Sequence, residues 1–323
     1  MGLWKILMTS NDINVYAIEN NYTREFHYMW DDIVEQLRKT GRKVNYIRNT
    51  KISPADFVDL EMIDCELLVE IDSTYKGISF CDNHGPISDF FTAGVRDNNT
   101  IRTEKDTLLV THGKSPYTAW AEERVCSSVK CKVLEGMFMP QVHGTDFTVY
   151  REFRKNNTPI DKFAFLGNVY SLPRVVIPYL IPSEHFVLKE TIGNPLEYFA
   201  EISKYKVGLC IPGVAELCHR DVEFLAMGIP YLKFEYVANL TPKLIPNYHY
   251  ISIPRIDSHP FEGERMGKQE YADLYVKRFL EVKDDTEFLQ FISKNAMEYY
   301  DTYLHPNVRI KHIFNMWELP FIE

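Results

Sequence analysis

Short apolar runs alternate with amphipathic stretches along the first half of the chain. Residues 5–9 predict a buried strand that ends in the polar turn Ser10-Asn11-Asp12. From residue 22 to residue 39 the apolar positions Phe26, Trp30, Ile33 and Leu37 recur at helical spacing, and Gly41 closes the segment. Residues 44–47 predict a second strand, Ser53-Pro54 a helix start, residues 65–71 a third strand and residues 107–111 another, ending at His112-Gly113. Residues 117–129 read as helix and 132–134 as strand. Strand, helix, strand in this rhythm predicts a parallel sheet covered on both faces.

Residues 150–159 are polar and charged and end in Pro159, which predicts a linker. The rhythm then restarts. Residues 162–166 form a strand running into Gly167-Asn168, and residues 171–179 an apolar stretch interrupted by prolines. Residues 186–189 follow as a strand, 195–203 as a helix, and 207–211 as a strand that breaks at Pro212-Gly213. A helix over 218–227 stops at Gly228, strands follow at 230–234 and 249–253, and the pattern from Lys268 onward is helical. The fold class expected is α/β, with two Rossmann-like doubly wound domains facing a cleft. They span residues 1–155 and 156–323, the second carrying the helical C-terminus. Open sheets of this kind bind ligands at the carboxyl ends of their strands.

The length, 323 residues, suits two domains of roughly 150 residues each. Hydrophobic residues at 45% and charged residues at 25% exclude disorder and fibrous classes. A net charge of −9 excludes nucleic-acid binding through bulk charge. The six cysteines include no CxxC pair, and no His or Asp motif at metal-ligand spacing occurs, so no metal site is expected. No secretory signal and no apolar run approaching the ~20 residues of a spanning helix is present, so a soluble cytoplasmic chain without a transmembrane segment is expected. Nothing in the sequence speaks to oligomeric state.

Residues 205–234 concentrate the chemistry. A strand delivers the chain to Pro212-Gly213, where the backbone turns tightly, and a helix begins near Cys218. Its free N–H groups and positive dipole end favour anions. Arg220 lies in the first turn and offers a forked donor for phosphate oxygens, with His219 beside it. Glu223 shares that helix face and suits a pairing with Arg220 or an acceptor role toward a ribose. Two readings stay open here: a nucleotide diphosphate site, or an Arg–Glu surface pair on an ordinary helix.

His219-Arg220-Asp221-Val222-Glu223, followed by Ala226-Met227-Gly228-Ile229-Pro230, resembles the donor-binding half of GT-B glycosyltransferases. The similarity is greatest to the exostosin and protein O-glucosyltransferase type. Phe163-Ala164-Phe165-Leu166-Gly167-Asn168 with Arg174 is similar to the opening strand of that family's C-terminal domain. The resemblance covers residues 160–235. It implies a nucleotide-sugar donor met by the Gly167-Asn168 loop, Arg174 and Arg220, a glycan or other hydroxyl acceptor, and no metal or other cofactor. Gly213, His219 and Glu223 are read from the segment itself as further donor-binding positions, with a capping or packing role as the alternative for His219. Two departures stand out. Glu216 and Glu223 have six residues between them and position 224 is Phe224, which breaks the paired-glutamate spacing of retaining relatives and favours inversion. Leu166 stands where the family often has Arg.

Inverting transfer needs one base for the acceptor hydroxyl and cations for the departing diphosphate. Arg174, Arg220 and the helix N-terminus supply the cations. The base is expected at the end of an N-terminal strand, with Asp72 first and Asp12 second. Tyr and Phe crowding the N-terminal half offer stacking faces for a sugar, or simply core. His112-Gly113-Lys114-Ser115 lacks the upstream glycine of a phosphate loop. The function expected is a metal-independent, inverting glycosyltransferase. The alternatives are a non-catalytic two-lobed nucleotide-sugar or glycan-binding protein and a GT-B-like sugar-nucleotide epimerase.

Overall fold

The structure is a computed structural model. It describes residues 12–18, 27–41, 43–49, 67–69, 107–110, 131–134, 146–155, 157–167, 169, 172–190, 194–211, 219–236, 242–255, 268–316 and 320–323. The chain divides into two compact units. One comprises residues 1–144, 238–242 and 306–323; the other comprises 145–237 and 243–305.

The first unit holds a five-stranded sheet of β1 (Asp12–Ile18), β2 (Lys43–Asn49), β3 (Leu67–Val69), β4 (Thr107–Val110) and β5 (Cys131–Leu134), ordered β2-β1-β3-β4-β5. Every pairing is parallel. Helix α1 (His27–Lys39) connects β1 to β2 and buries Ile33 and Leu37 at the predicted spacing, with Val34 buried beside them. The predicted strand at 5–9 lies outside the described residues. Asp12, expected in the turn after it, is instead the first residue of β1 and pairs with Lys43. The alternation Ile13, Val15, Ala17 is the strand signal there.

The second unit repeats the architecture. Its strands are β6 (Ile160–Leu166), β7 (Phe186–Lys189), β8 (Tyr205–Leu209), β9 (Tyr231–Phe234) and β10 (Ile251–Ile253), ordered β10-β9-β8-β6-β7, again all parallel. Numbered by sequence within each sheet, both sheets run 2-1-3-4-5. Parallel strands covered on both faces carry continuous apolar runs. All four residues of β9 are buried, as are the last four of β6. Its described helices are α2 (Arg151–Lys155), α3 (Leu172–Leu180), α4 (Pro195–Ile202), α5 (His219–Met227), α6 (Lys268–Val282) and α7 (Thr286–Tyr299), the last continued by a π-helical turn over Tyr300–Leu304. Phe163 packs against Phe186 and Phe279 at centroid distances of 5.0 and 4.9 Å, and Phe234 packs against Tyr271 and Tyr275 of α6. At Gly208 of β8 an added Cβ would overlap the Phe224 ring, so glycine lets α5 lie close on the sheet.

Two expected boundaries differ from the sequence reading. The polar segment at 150–159 is built into the second unit. Asp146 caps a 3-10 turn over Phe147–Tyr150 and α2 follows directly. Tyr150 stacks on Phe199 at 4.2 Å. Arg151 donates to the Ala226 carbonyl at 2.6 Å and forks onto Asp301, and Arg154 donates to the carbonyls of Tyr205 and Lys206. Helix α8 (Pro306–Met316) belongs with the first unit, where Arg309 meets Asp32 of α1 at 3.3 Å. Among the described residues no helix is long and apolar enough to cross a membrane.

His249 gives the second unit an acid sensitivity. Its Nδ1 accepts the Ile245 N–H at 2.8 Å, and its ring lies between Tyr248 and Tyr299. Burial lowers its pKa from 6.5 to about 4. The unfolded chain therefore takes up a proton that the folded chain refuses. The stability is fully present above pH 6.5 and is lost as the pH falls toward 4, on the order of 3 kcal/mol in all. His249→Asn keeps a hydrogen-bond acceptor but does not titrate, so thermal unfolding should show a smaller loss between pH 6.5 and 4 than the wild type.

Candidate functional site

The second sheet changes winding direction between β6 and β8. Chain leaving β6 runs through α3 toward β7, and chain leaving β8 runs through α5 toward β9 on the other side. The crevice that opens at such a switch point is where open α/β sheets take ligands. Both predicted arginines stand there. Arg174 is the third residue of α3 and Arg220 the second of α5.

The two arginines cross. Arg174, from the helix after β6, donates Nε–H and Nη2–H to the carbonyl of Ile211, just beyond β8, at 3.1 and 3.0 Å. Arg220, from the helix after β8, donates from Nη2 to the carbonyl of Leu166, the last residue of β6. Their guanidinium carbons lie 5.6 and 4.2 Å from the centroid of one ring, Phe165. Each side chain is only 7% exposed. Carbonyls at the strand ends and one shared aromatic ring thus hold two cations at the carboxyl edge of the sheet, with much of their hydration removed.

Gly167 is required by this arrangement. It has φ +136°, and an added Cβ would overlap Nη2 of Arg220. Glu223, one turn along α5, accepts a hydrogen bond from the Tyr198 hydroxyl of α4 at 2.8 Å. Burial pushes the Glu223 pKa above its ordinary value, against the lowering influence of Arg220 and the Tyr198 hydrogen bond. Burial, and then the Glu223 charge, push the Tyr198 phenol well up, so it stays a donor.

The raised Glu223 pKa has a stability consequence. As the pH climbs above 4.5 the unfolded chain ionises first, so this group's contribution falls from there through the raised folded value. Glu223→Gln removes that cost while keeping an acceptor for Tyr198. Its melting temperature should equal or exceed that of the wild type at pH 7.5, and the difference should vanish below pH 4.5.

Of the remaining predicted residues, His219 opens α5. Asn168, Gly213 and Asp72 lie outside the described residues. Asp12 begins β1, at the amino end of the first sheet's strands, whereas ligands in such sheets meet the carboxyl ends. Sequence reasoning missed three contributors. Phe165 carries a strand signal and no more. Tyr198 carries no local signal. Lys233 is the one charge in the apolar run Tyr-Leu-Lys-Phe, and it forms a buried ion pair with Asp221 at 3.0 Å. Among the described residues no three His, Cys, Asp or Glu side chains form a metal-binding group.

No family model matches the chain, and no curated protein matches it by sequence. The structure matches sucrose-phosphate synthase from Thermosynechococcus elongatus with a TM-score of 0.53, over 95% of this chain and 98% of that one, at 10% sequence identity. At that identity the likeness shows a shared fold. An ABC-transporter solute-binding protein from Conexibacter woesei aligns with 68% of the chain and 69% of its own length at a TM-score of 0.29 and 12% identity.

Proposed function

We propose that the chain is a nucleotide-sugar-dependent glycosyltransferase, inverting and metal-independent, of the exostosin and protein O-glucosyltransferase type. The observation that carries this reading is the crossed pair Arg174 and Arg220 at the switch point of the second sheet. Two desolvated guanidinium groups sharing one aromatic ring suit the two phosphates of a nucleoside diphosphate better than a neutral ligand. Gly167 keeps the loop free of a side chain that would crowd the pair, and Asn168, Gly213 and His219 are proposed to complete the donor site. Glu223 is proposed as the acceptor for ribose hydroxyls.

The transfer is a single displacement. A base removes the proton from the acceptor hydroxyl while that oxygen bonds to the anomeric carbon and the bond to the diphosphate breaks. Arg174 and Arg220 stabilise the charge that grows on the departing diphosphate. Asp72, which follows the carboxyl end of β3, is the proposed base; Asp12, at the start of a strand, is less suited. A glycan or other hydroxyl compound is the proposed acceptor.

Titration calorimetry of the full chain with a panel of nucleoside diphosphates tests the reading, first in buffer alone and then with a chelator. Binding of at least one member, unchanged by chelation, is expected. No binding to any would overturn it. Binding without release of diphosphate from any nucleotide sugar would favour a binding protein, and conversion of a nucleotide sugar alone to its epimer would favour an epimerase.

A further inference from the structure

Asp221, the residue after Arg220 on α5, belongs to a second charged cluster. Lys233 of β9 and Asp221 of α5 are both 0% exposed, and Nζ meets Oδ2 at 3.0 Å. The other carboxylate oxygen accepts the Tyr236 hydroxyl. The ammonium stands 4.5 Å from the centroid of the Tyr236 ring and 3.7 Å from Sγ of Cys210, the residue after β8. Four pieces of chain therefore meet on one ion pair: β9, the segment after β9, the segment after β8, and the first turn of α5.

A fully buried ion pair seldom adds stability over an apolar pair of the same volume, because both ions lose their water. Its better-attested use is to select one arrangement among several that apolar packing would accept. Helix α5 needs such a device. Val222, Phe224, Leu225, Ala226 and Met227 are all buried, so its apolar residues do not define a single inward face. Successive residues of an α-helix point about 100° apart, so fixing Asp221 on the sheet fixes where Arg220 points.

We infer that Asp221 and Lys233 are positioning residues for Arg220, locking the rotation of α5 so that the guanidinium faces Leu166 and Phe165. The inference rests on the donor-site reading for its effect on ligand, but the locking itself does not depend on any ligand. Tyr236 holds the carboxylate from its second oxygen and belongs to the same lock.

The test uses the full chain and the variants Lys233→Met, Asp221→Asn, the double variant, and Tyr236→Phe. Two quantities are read: amide hydrogen exchange across residues 219–227 without ligand, and affinity for the nucleoside diphosphate that the wild type binds. Each single charge removal lowers Tm by stranding a buried ion, and the double variant regains much of that loss. Exchange in the first turn of α5 stays raised in the double variant by about tenfold, and affinity stays about tenfold weaker. Tyr236→Phe, which strands no charge, moves both readouts the same way by about threefold and serves if the others fail to fold. Wild-type exchange in the double variant, or in Tyr236→Phe alone, would overturn the inference. A wild type that binds no nucleoside diphosphate sinks the donor-site reading instead, and the exchange measurement still decides the lock.

Discussion

Arg220→Ala is expected to weaken nucleoside diphosphate binding by about a hundredfold, with Arg220→Lys recovering little of it. A hydrogen bond to a charged group contributes about 1.5–3 kcal/mol, and a guanidinium facing phosphate oxygens makes up to two. Lys supplies the charge but not the fork. Nor does a compact ammonium reproduce the guanidinium's two contacts, a donor to the Leu166 carbonyl and a carbon 4.2 Å from the Phe165 ring centroid. Truncation also removes a packed side chain, so some fall in melting temperature is expected, and affinities are to be compared well below the lower Tm. Arg174→Ala should lose affinity in the same range. The double variant should lose less than the two single losses combined, because the two groups share Phe165 and one ligand. Calorimetric affinity of Arg220→Lys equal to the wild type would remove this residue from the donor site.

The strands of the second sheet are legible because each is a short apolar run between breakers. Residues 186–189 form β7 with the boundaries read from the sequence. Helix α3 is harder, since Pro173 and Pro178 look like interruptions. Proline is tolerated in a first turn, and Pro178 forgoes one hydrogen bond within a helix that buries Ile177 against the core, as does Ile181 just beyond its end. Residues 150–159 read as a linker because Arg151 and Arg154 are charged. In the fold those charges cap backbone carbonyls 75 and 51 positions away in sequence, which composition does not reveal. The site divides in the same way. Arg174, Arg220, Glu223 and Gly167 carry local signals: first helical turns after strands for the arginines, a helix face shared with Arg220 for Glu223, and a glycine at a strand end. Their crossing does not, because it depends on β6 and β8 being neighbours with β7 on the far side. Tyr198 and Lys233 reach the site only through packing between elements, so nothing nearby in sequence marks them.

Gly167→Ala is expected to weaken nucleoside diphosphate binding by between about ten- and a hundredfold while lowering stability by roughly 1–3 kcal/mol. Two costs act at this position. The backbone sits at φ +136°, where a side chain is strained, and the new methyl group would overlap Nη2 of Arg220. The guanidinium is the movable partner, so it gives way and leaves the Leu166 carbonyl and the face of Phe165. Gly41 separates the two costs. It also has positive φ, +83°, but an added Cβ there meets nothing within 4 Å. Gly41→Ala should therefore show a stability loss from backbone strain and leave affinity unchanged. If the methyl group introduced by Gly167→Ala acts through Arg220, then adding Gly167→Ala to Arg220→Ala should cost little further affinity, since the displaced group is already gone. A full additional loss in the double variant would mean that the loop itself, rather than Arg220, is what the substitution disturbs.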